Sequence, residues 1–156
     1  MQSHHYRLLY SVLGVLTTAL WLWFIHQLSD TPLYQTSGLL WWLLFSLQLF
    51  GVGIALAALV PIDGAVFLGL RKEGKTQDPF IVRGVYRYIR HPMYTGTMLI
   101  LLAMPEQTVN GLNLAVMVCI YFIVGSKFEE KRMLLEHPDY KKYQDEVPAF
   151  IPNMMR

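Results

Sequence analysis

The chain has 156 residues, 54% of them apolar and only 15% charged, with a formal net charge of +2. An ordinary soluble domain carries about 25% charged residues, whereas here Leu8–Ser29, Thr31–Ile62 and Val109–Ser126 hold none. Runs of roughly 18 or more such residues cross a bilayer as helices, because hydrocarbon offers backbone N–H and C=O groups no partner but one another. A soluble enzyme, a nucleic-acid-binding module and a disordered tail are excluded, and residues 1–156 read as one integral membrane domain.

The first helix is expected over roughly Tyr6–Leu28. Its apolar run is too long for a cleaved leader and no small-x-small site follows, so it is expected to be retained. Ser29-Asp30-Thr31-Pro32 ends it, through side-chain bonding and proline's missing donor. The second helix is expected from about Gly38 to Ile62, with Trp41 and Trp42 near its outer interface, where indoles prefer to sit. Gly51 and Gly53 lie two residues apart, not at the four-residue spacing of a close-packed helix pair. The long polar stretch Gly69–His91, with its Gly-Lys-Thr-Gln-Asp-Pro tract, reads as a loop.

Pro92 suits the first position of a third helix, yet only about 13 residues separate it from Pro105. At ~1.5 Å per residue that is roughly 20 Å, short of the ~30 Å hydrocarbon core. Such a span must start inside the membrane, start at a thinned edge, or gain a turn from the segment before it. The fourth helix covers about Val109–Ser126 and runs on into Lys127–Arg132, until His137-Pro138 breaks it. A short interfacial helix follows, with Tyr140, Tyr143 and Val147 on one apolar face for docking. The expected fold is all-α, with four transmembrane helices and a short C-terminal interfacial helix.

The 13 basic residues fall before the first span, between the second and third, and after the fourth. The connections around Ser29–Gly38 and Pro105–Asn110 hold none. With four spans all 13 share one side, which the positive-inside rule makes cytoplasmic, and both termini with it. The single cysteine, Cys119, lies in an apolar run, so there is no disulfide framework.

Two polar clusters meet that cytoplasmic interface. Arg90 and His91 immediately precede the proline-started helix, where free backbone N–H groups and the helix dipole favour a carboxylate or phosphate. Tyr94 offers an aromatic face to a cation, and Gly96 lets a ligand approach the helix backbone. Glu129 and Glu130, just past the fourth span, can accept bonds from hydroxyls or an ammonium group. Taken alone, the arginines would anchor lipid phosphates and set topology, and the acidic pair would be a solvated helix end. His26 reads as a helix-packing histidine.

Gly84-Val85-Tyr86-Arg87-Tyr88-Ile89-Arg90-His91-Pro92-Met93-Tyr94-Thr95-Gly96, then Phe128-Glu129-Glu130, then Tyr140, Tyr143, Val147-Pro148 and Ile151-Pro152 form an ordered set. This set resembles the isoprenylcysteine carboxyl methyltransferase-like superfamily, which includes phospholipid N-methyltransferases and bacterial methanethiol S-methyltransferases. Ile62-Asp63 and Phe67–Arg71 are similar to the stretch that precedes this core in the methanethiol enzymes. The resemblance implies S-adenosylmethionine (SAM) as methyl donor, in a cavity open to the cytoplasm, and a bacterial inner membrane as the location. His91, Tyr94 and Gly96 fall on the family's cofactor segment, and Glu129 and Glu130 on its diacidic motif. With Arg90 they form the expected cofactor-binding set, with no metal.

Methyl-ester-forming members of the superfamily place an arginine about four residues before the acidic pair, where this chain has Gly125 and Ser126. That counts against a prenylcysteine carboxylate; the acceptor that the resemblance implies is a small thiol or a lipophilic molecule entering from the bilayer. A second departure is Glu136-His137-Pro138-Asp139, where the family often has Phe-Gly before the first tyrosine. A thiol acceptor must lose a proton, to His91 or to a glutamate of the pair. The expected partners are that acceptor and membrane lipids, not nucleic acid, and the oligomeric state stays open. A haem-binding protein of the carotenoid-isomerase or denitrification-associated type is the alternative, with axial ligands among His4, His5, His91 and His137.

Overall fold

A computed structural model describes residues 12, 13, 16, 19–25, 27–61 and 82–153. The chain divides into two compact units, one of residues 1–30 and 62–78, the other of 31–61 and 79–156. In the first unit the described residues between 12 and 27 are helical, and Leu28 closes the last turn onto the Ile25 carbonyl. The rest of the expected first span, the Gly69–Ile81 part of the polar stretch, the Ile62–Arg71 resemblance and His4, His5 and His26 lie outside the described residues.

The second unit runs β1 (Pro32–Gln35), α1 (Gly38–Leu59), a 3₁₀ turn (Gly84–Arg87), α2 (Pro92–Leu102), β2 (Glu106–Thr108), α3 (Val109–Glu136) and α4 (Tyr140–Glu146). Among the described residues, α1 and α3 are long and apolar enough to cross a membrane. Their outward apolar side chains, such as Leu39 at 75% and Phe50 at 63% exposure, form a surface that water would not tolerate and lipid does. The predominantly helical membrane architecture is as expected.

The two connections without basic residues pair with each other, which the sequence reading does not anticipate. β1 and β2 are antiparallel, with Pro32 opposite Thr108 and Gln35 opposite Glu106, and a register shift between Pro32 and Tyr34. The start of α1, the end of α2 and the start of α3 therefore share one end of the unit.

α2 has 11 residues, or about 16 Å of helix, and its early end leaves carbonyls with no partner in their own helix. Hydrocarbon makes such orphans costly, and polar side chains cover them. Gln48 of α1 donates from Nε2 to the Ile100 carbonyl at 2.9 Å, and Gln107 Nε2 reaches Leu101 O at 3.4 Å. Tyr34 donates to Met104 O and the Thr36 hydroxyl to Pro105 O. Residues 103–105 then lead without helix into β2.

α1 and α2 pack closely and antiparallel. A Cβ on Gly96 would lie 2.5 Å from Gly51 O and 2.8 Å from Ala55 N, and one on Gly51 would lie 2.8 Å from Gly96 O. Gly51 and Ala55 supply the four-residue small spacing that the Gly51–Gly53 pair lacked. Gly53 has nothing near it. At the other end of α3, the helix continues to Glu136 and stops before Pro138. Tyr140, Tyr143 and Val147 are buried together against Met133, the docking face expected of α4.

Candidate functional site

Pro92 occupies the first turn of α2, so His91 sits just outside the helix and Tyr94 within its first turn. Ten residues of α3 extend beyond the charge-free run, and their first turn carries Glu129 and Glu130. The two carboxylates take different partners. Glu130 Oε1 accepts from Arg90 Nε at 2.8 Å and lies 2.9 Å from His91 Nε2, while Oε2 accepts from Gln144 Nε2 at 2.9 Å. Glu129 Oε2 accepts from the Tyr94 hydroxyl at 3.1 Å and lies 3.8 Å from His91 Nδ1.

Burial separates the pair further. The Glu130 side chain is 12% exposed and that of Glu129 42%. Glu130 lies outside the apolar run. Burial alone would raise its carboxyl, but hydrogen bonds from His91, Arg90 and Gln144 and the Arg90 charge hold it below the ordinary carboxylate value. No buried side-chain polar atom among the described residues lacks a partner. Glu130 is thus a saturated keystone, whereas the Oε1 of Glu129 has no protein donor among the described residues.

The segment after α4 straps this cluster. Arg90 N–H donates to Pro148 O and His91 N–H to Ala149 O, and the Thr95 hydroxyl reaches Phe150 O at 3.0 Å. Arg90 Nη1 donates to Gln144 O at 2.7 Å and also to Val147 O. The Tyr143 hydroxyl donates to Tyr86 O at 2.6 Å. Burial pushes the Tyr140 hydroxyl up to about 12, with the Glu130 charge adding and Arg90 opposing, so it stays protonated at neutral pH.

All of the expected set except Gly96 comes together here, and three details are revised. Arg90 is not an open anion cradle, because Nε, Nη1 and its backbone N–H are committed to protein acceptors. The Tyr94 ring lies parallel to Phe122 at 4.4 Å and to His91 at 5.4 Å, so packing engages the ring and the hydroxyl is what Tyr94 presents. Gly96 faces Gly51 and Ala55, so its missing side chain admits a neighbouring helix rather than a ligand. Ser126, at the place of the absent arginine, is buried and bonds the Ile123 carbonyl of its own helix.

Gln144, Phe122, Phe150, Gln48 and Gln107 were not singled out from sequence. For Gln48 a signal existed, since an amide in the middle of an apolar span marks a polar task. Gln144, within a polar heptapeptide, carried none.

The site and fold define a helical membrane protein with a semi-buried charged cluster at the end of its apolar helices. The phospholipid methyltransferase family model matches residues 43–141, and the chain belongs to that family. It is 30% identical over 148 residues to methanethiol S-methyltransferase 2 of Bradyrhizobium diazoefficiens, covering 90% of this chain and 56% of that protein. The methanethiol S-methyltransferase of Pseudomonas deceptionensis is 32% identical over 144 residues, covering 92% and 47%. That of Crocosphaera subtropica is 34% identical over 116 residues, covering 69% and 46%. The chain spans about half the length of these curated relatives. No solved structure matches it significantly. Neither the family nor these relatives carries the haem reading, and His91 Nε2 is engaged with Glu130.

Proposed function

We propose that the chain is an integral membrane methyltransferase that uses SAM and delivers the methyl group to a small thiol of the methanethiol class. A lipophilic molecule entering from the bilayer is the second acceptor class. The observation that carries this reading is the division of labour in the acidic pair: a part-exposed Glu129 carboxylate beside a fully bonded Glu130, in a chain of this family.

The residues fit the cationic part of SAM. Glu129 Oε1 can accept from an ammonium or a ribose hydroxyl, while Tyr94 and His91 orient its other oxygen. Arg90, Glu130 and Gln144 position this face without touching the ligand. SAM supplies a methyl group on a sulfonium, an electrophile with a good leaving group. The protein must then mainly align donor and acceptor and exclude water. A thiol has to give up its proton, and Glu130 is a poor acceptor because both oxygens are bonded. Glu129 and His91 remain, with Glu129 the more accessible.

The proposal includes four spans with both termini in the cytoplasm of a bacterial cell. It is supported by the pairing of the two connections that lack Lys and Arg at one end of the second unit and by the arginines and lysines toward the other. Calorimetry with SAM on the purified full chain is the test, followed by methanethiol and phosphatidylethanolamine as acceptors. Binding that weakens about 10-fold or more in Glu129→Gln is expected. A wild-type chain that fails to bind SAM overturns the reading.

A further inference from the structure

A cleft of about 680 Å³ opens between the end of α1 and the 3₁₀ turn. Ala57, Val60, Pro61 and Val85 line it with apolar surface, and Arg83 and Arg87 with positive charge. No carboxylate is among its described lining. Arg83 Nη2 reaches Pro61 O at 3.3 Å, which ties that guanidinium to the end of the helix, and Arg87 has no acceptor among the described residues. The turn separates this cleft from the acidic site: Val85 and Arg87 face the cleft, while the carbonyl of Tyr86 receives the Tyr143 hydroxyl.

The position in the membrane follows from α1. The charge-free run ends at Ile62, so this end of the helix lies where hydrocarbon gives way to headgroups, whichever way the chain is oriented. A groove at that level with an apolar floor and two arginines matches a molecule with a phosphate above acyl chains. Water would wet such a floor at a cost, and a zwitterionic lipid would bring its own headgroup cation beside the two arginines.

We infer that the cleft binds an acidic membrane phospholipid, its phosphate between Arg83 and Arg87 and the first part of its chains on Ala57, Val60 and Val85. The inference is independent of the methyltransferase reading, since it uses none of the residues of the acidic site.

The test is lipid retention by the full chain in detergent, measured by native mass spectrometry and by thermal shift. The probes are dioleoyl phosphatidylglycerol, dioleoyl phosphatidylcholine and glycerol 1-phosphate. Phosphatidylglycerol is expected to bind on the order of tenfold better than phosphatidylcholine, because each interfacial arginine contributes about fivefold for an anionic headgroup. Glycerol 1-phosphate, which has no chains, is expected to give no shift. Arg83→Gln/Arg87→Gln should abolish the preference.

Ala57→Trp fills the cleft and should lower phosphatidylglycerol retention with both arginines in place. Val60→Trp, at a position 84% exposed, does the same without touching the core should the first variant fold poorly. Retention unchanged in a folded tryptophan variant would show that the arginines attract lipid from open surface and would overturn the proposal. So would equal retention of the two lipids by the wild type.

Discussion

Glu129 and Glu130 are neighbours in sequence and opposites in chemistry. Glu130→Ala removes bonds from Arg90, His91 and Gln144 and leaves a guanidinium that is 11% exposed without its carboxylate. Breaking a buried pair from one side costs about 3–5 kcal/mol, so this variant should melt at clearly lower temperature in detergent. Glu129→Gln should melt like the wild type and lose SAM affinity instead. If the two variants show the reverse assignment, the keystone and the contact residue have been exchanged.

The same carboxylate sets an acid limit. Its folded pKa lies below its ordinary value, so it contributes stability that is fully present above the unfolded value of about 4.3. That contribution is lost as pH falls through the folded value. Thermal melts at about pH 6 and about pH 3 should show a smaller acid loss for Glu130→Gln than for the wild type, because glutamine has no proton to take up. An equal loss in both would place the acid sensitivity elsewhere.

At the scale of the element, α2 stands because two neighbours accept an unusual helix. Its closest contact is backbone on backbone, with Gly96 against Gly51 and Ala55. The methyl group of Gly96→Ala has no flexible side chain to displace, so the helices must separate. Overpacking of this kind costs about 1–3 kcal/mol or more. Loss of SAM binding in that variant should track loss of folded protein, whereas a ligand-side glycine would lose binding with unchanged melting.

At its far end α2 depends on Gln48, whose amide covers the Ile100 carbonyl. Gln48→Leu suits lipid better and is favourable on composition alone. It should nevertheless destabilise the chain by about 1–3 kcal/mol, because it leaves a part-buried carbonyl unpaired. A variant as stable as the wild type would show that water already reaches that carbonyl.

For the whole molecule, the β1–β2 ladder and the placement of 13 basic residues bear on orientation. An enzymatic reporter fused after Arg156 should be active only in its cytoplasmic form. Activity on the opposite face would reverse the topology and expose the acidic site to the other compartment.

The membrane class, the short α2, the stop at His137-Pro138, the docking face of Tyr140, Tyr143 and Val147, and the family motif are all legible in the order of the residues. Each of these is written locally: a bilayer demands a fixed length of uncharged residues, proline removes a donor wherever it stands, and an apolar face repeats at the helical period. Which glutamate is buried depends on long-range packing. Adjacent helical residues point about 100° apart, and what each meets depends on where α2 and the strap after α4 come to lie. The same holds for Gly96, whose partner Gly51 is 45 residues away in the chain, and for Gln48 and Gln107, whose acceptors become orphans only because α2 ends at Leu102. Local pattern specifies what a segment must bury, and long-range packing specifies against whom.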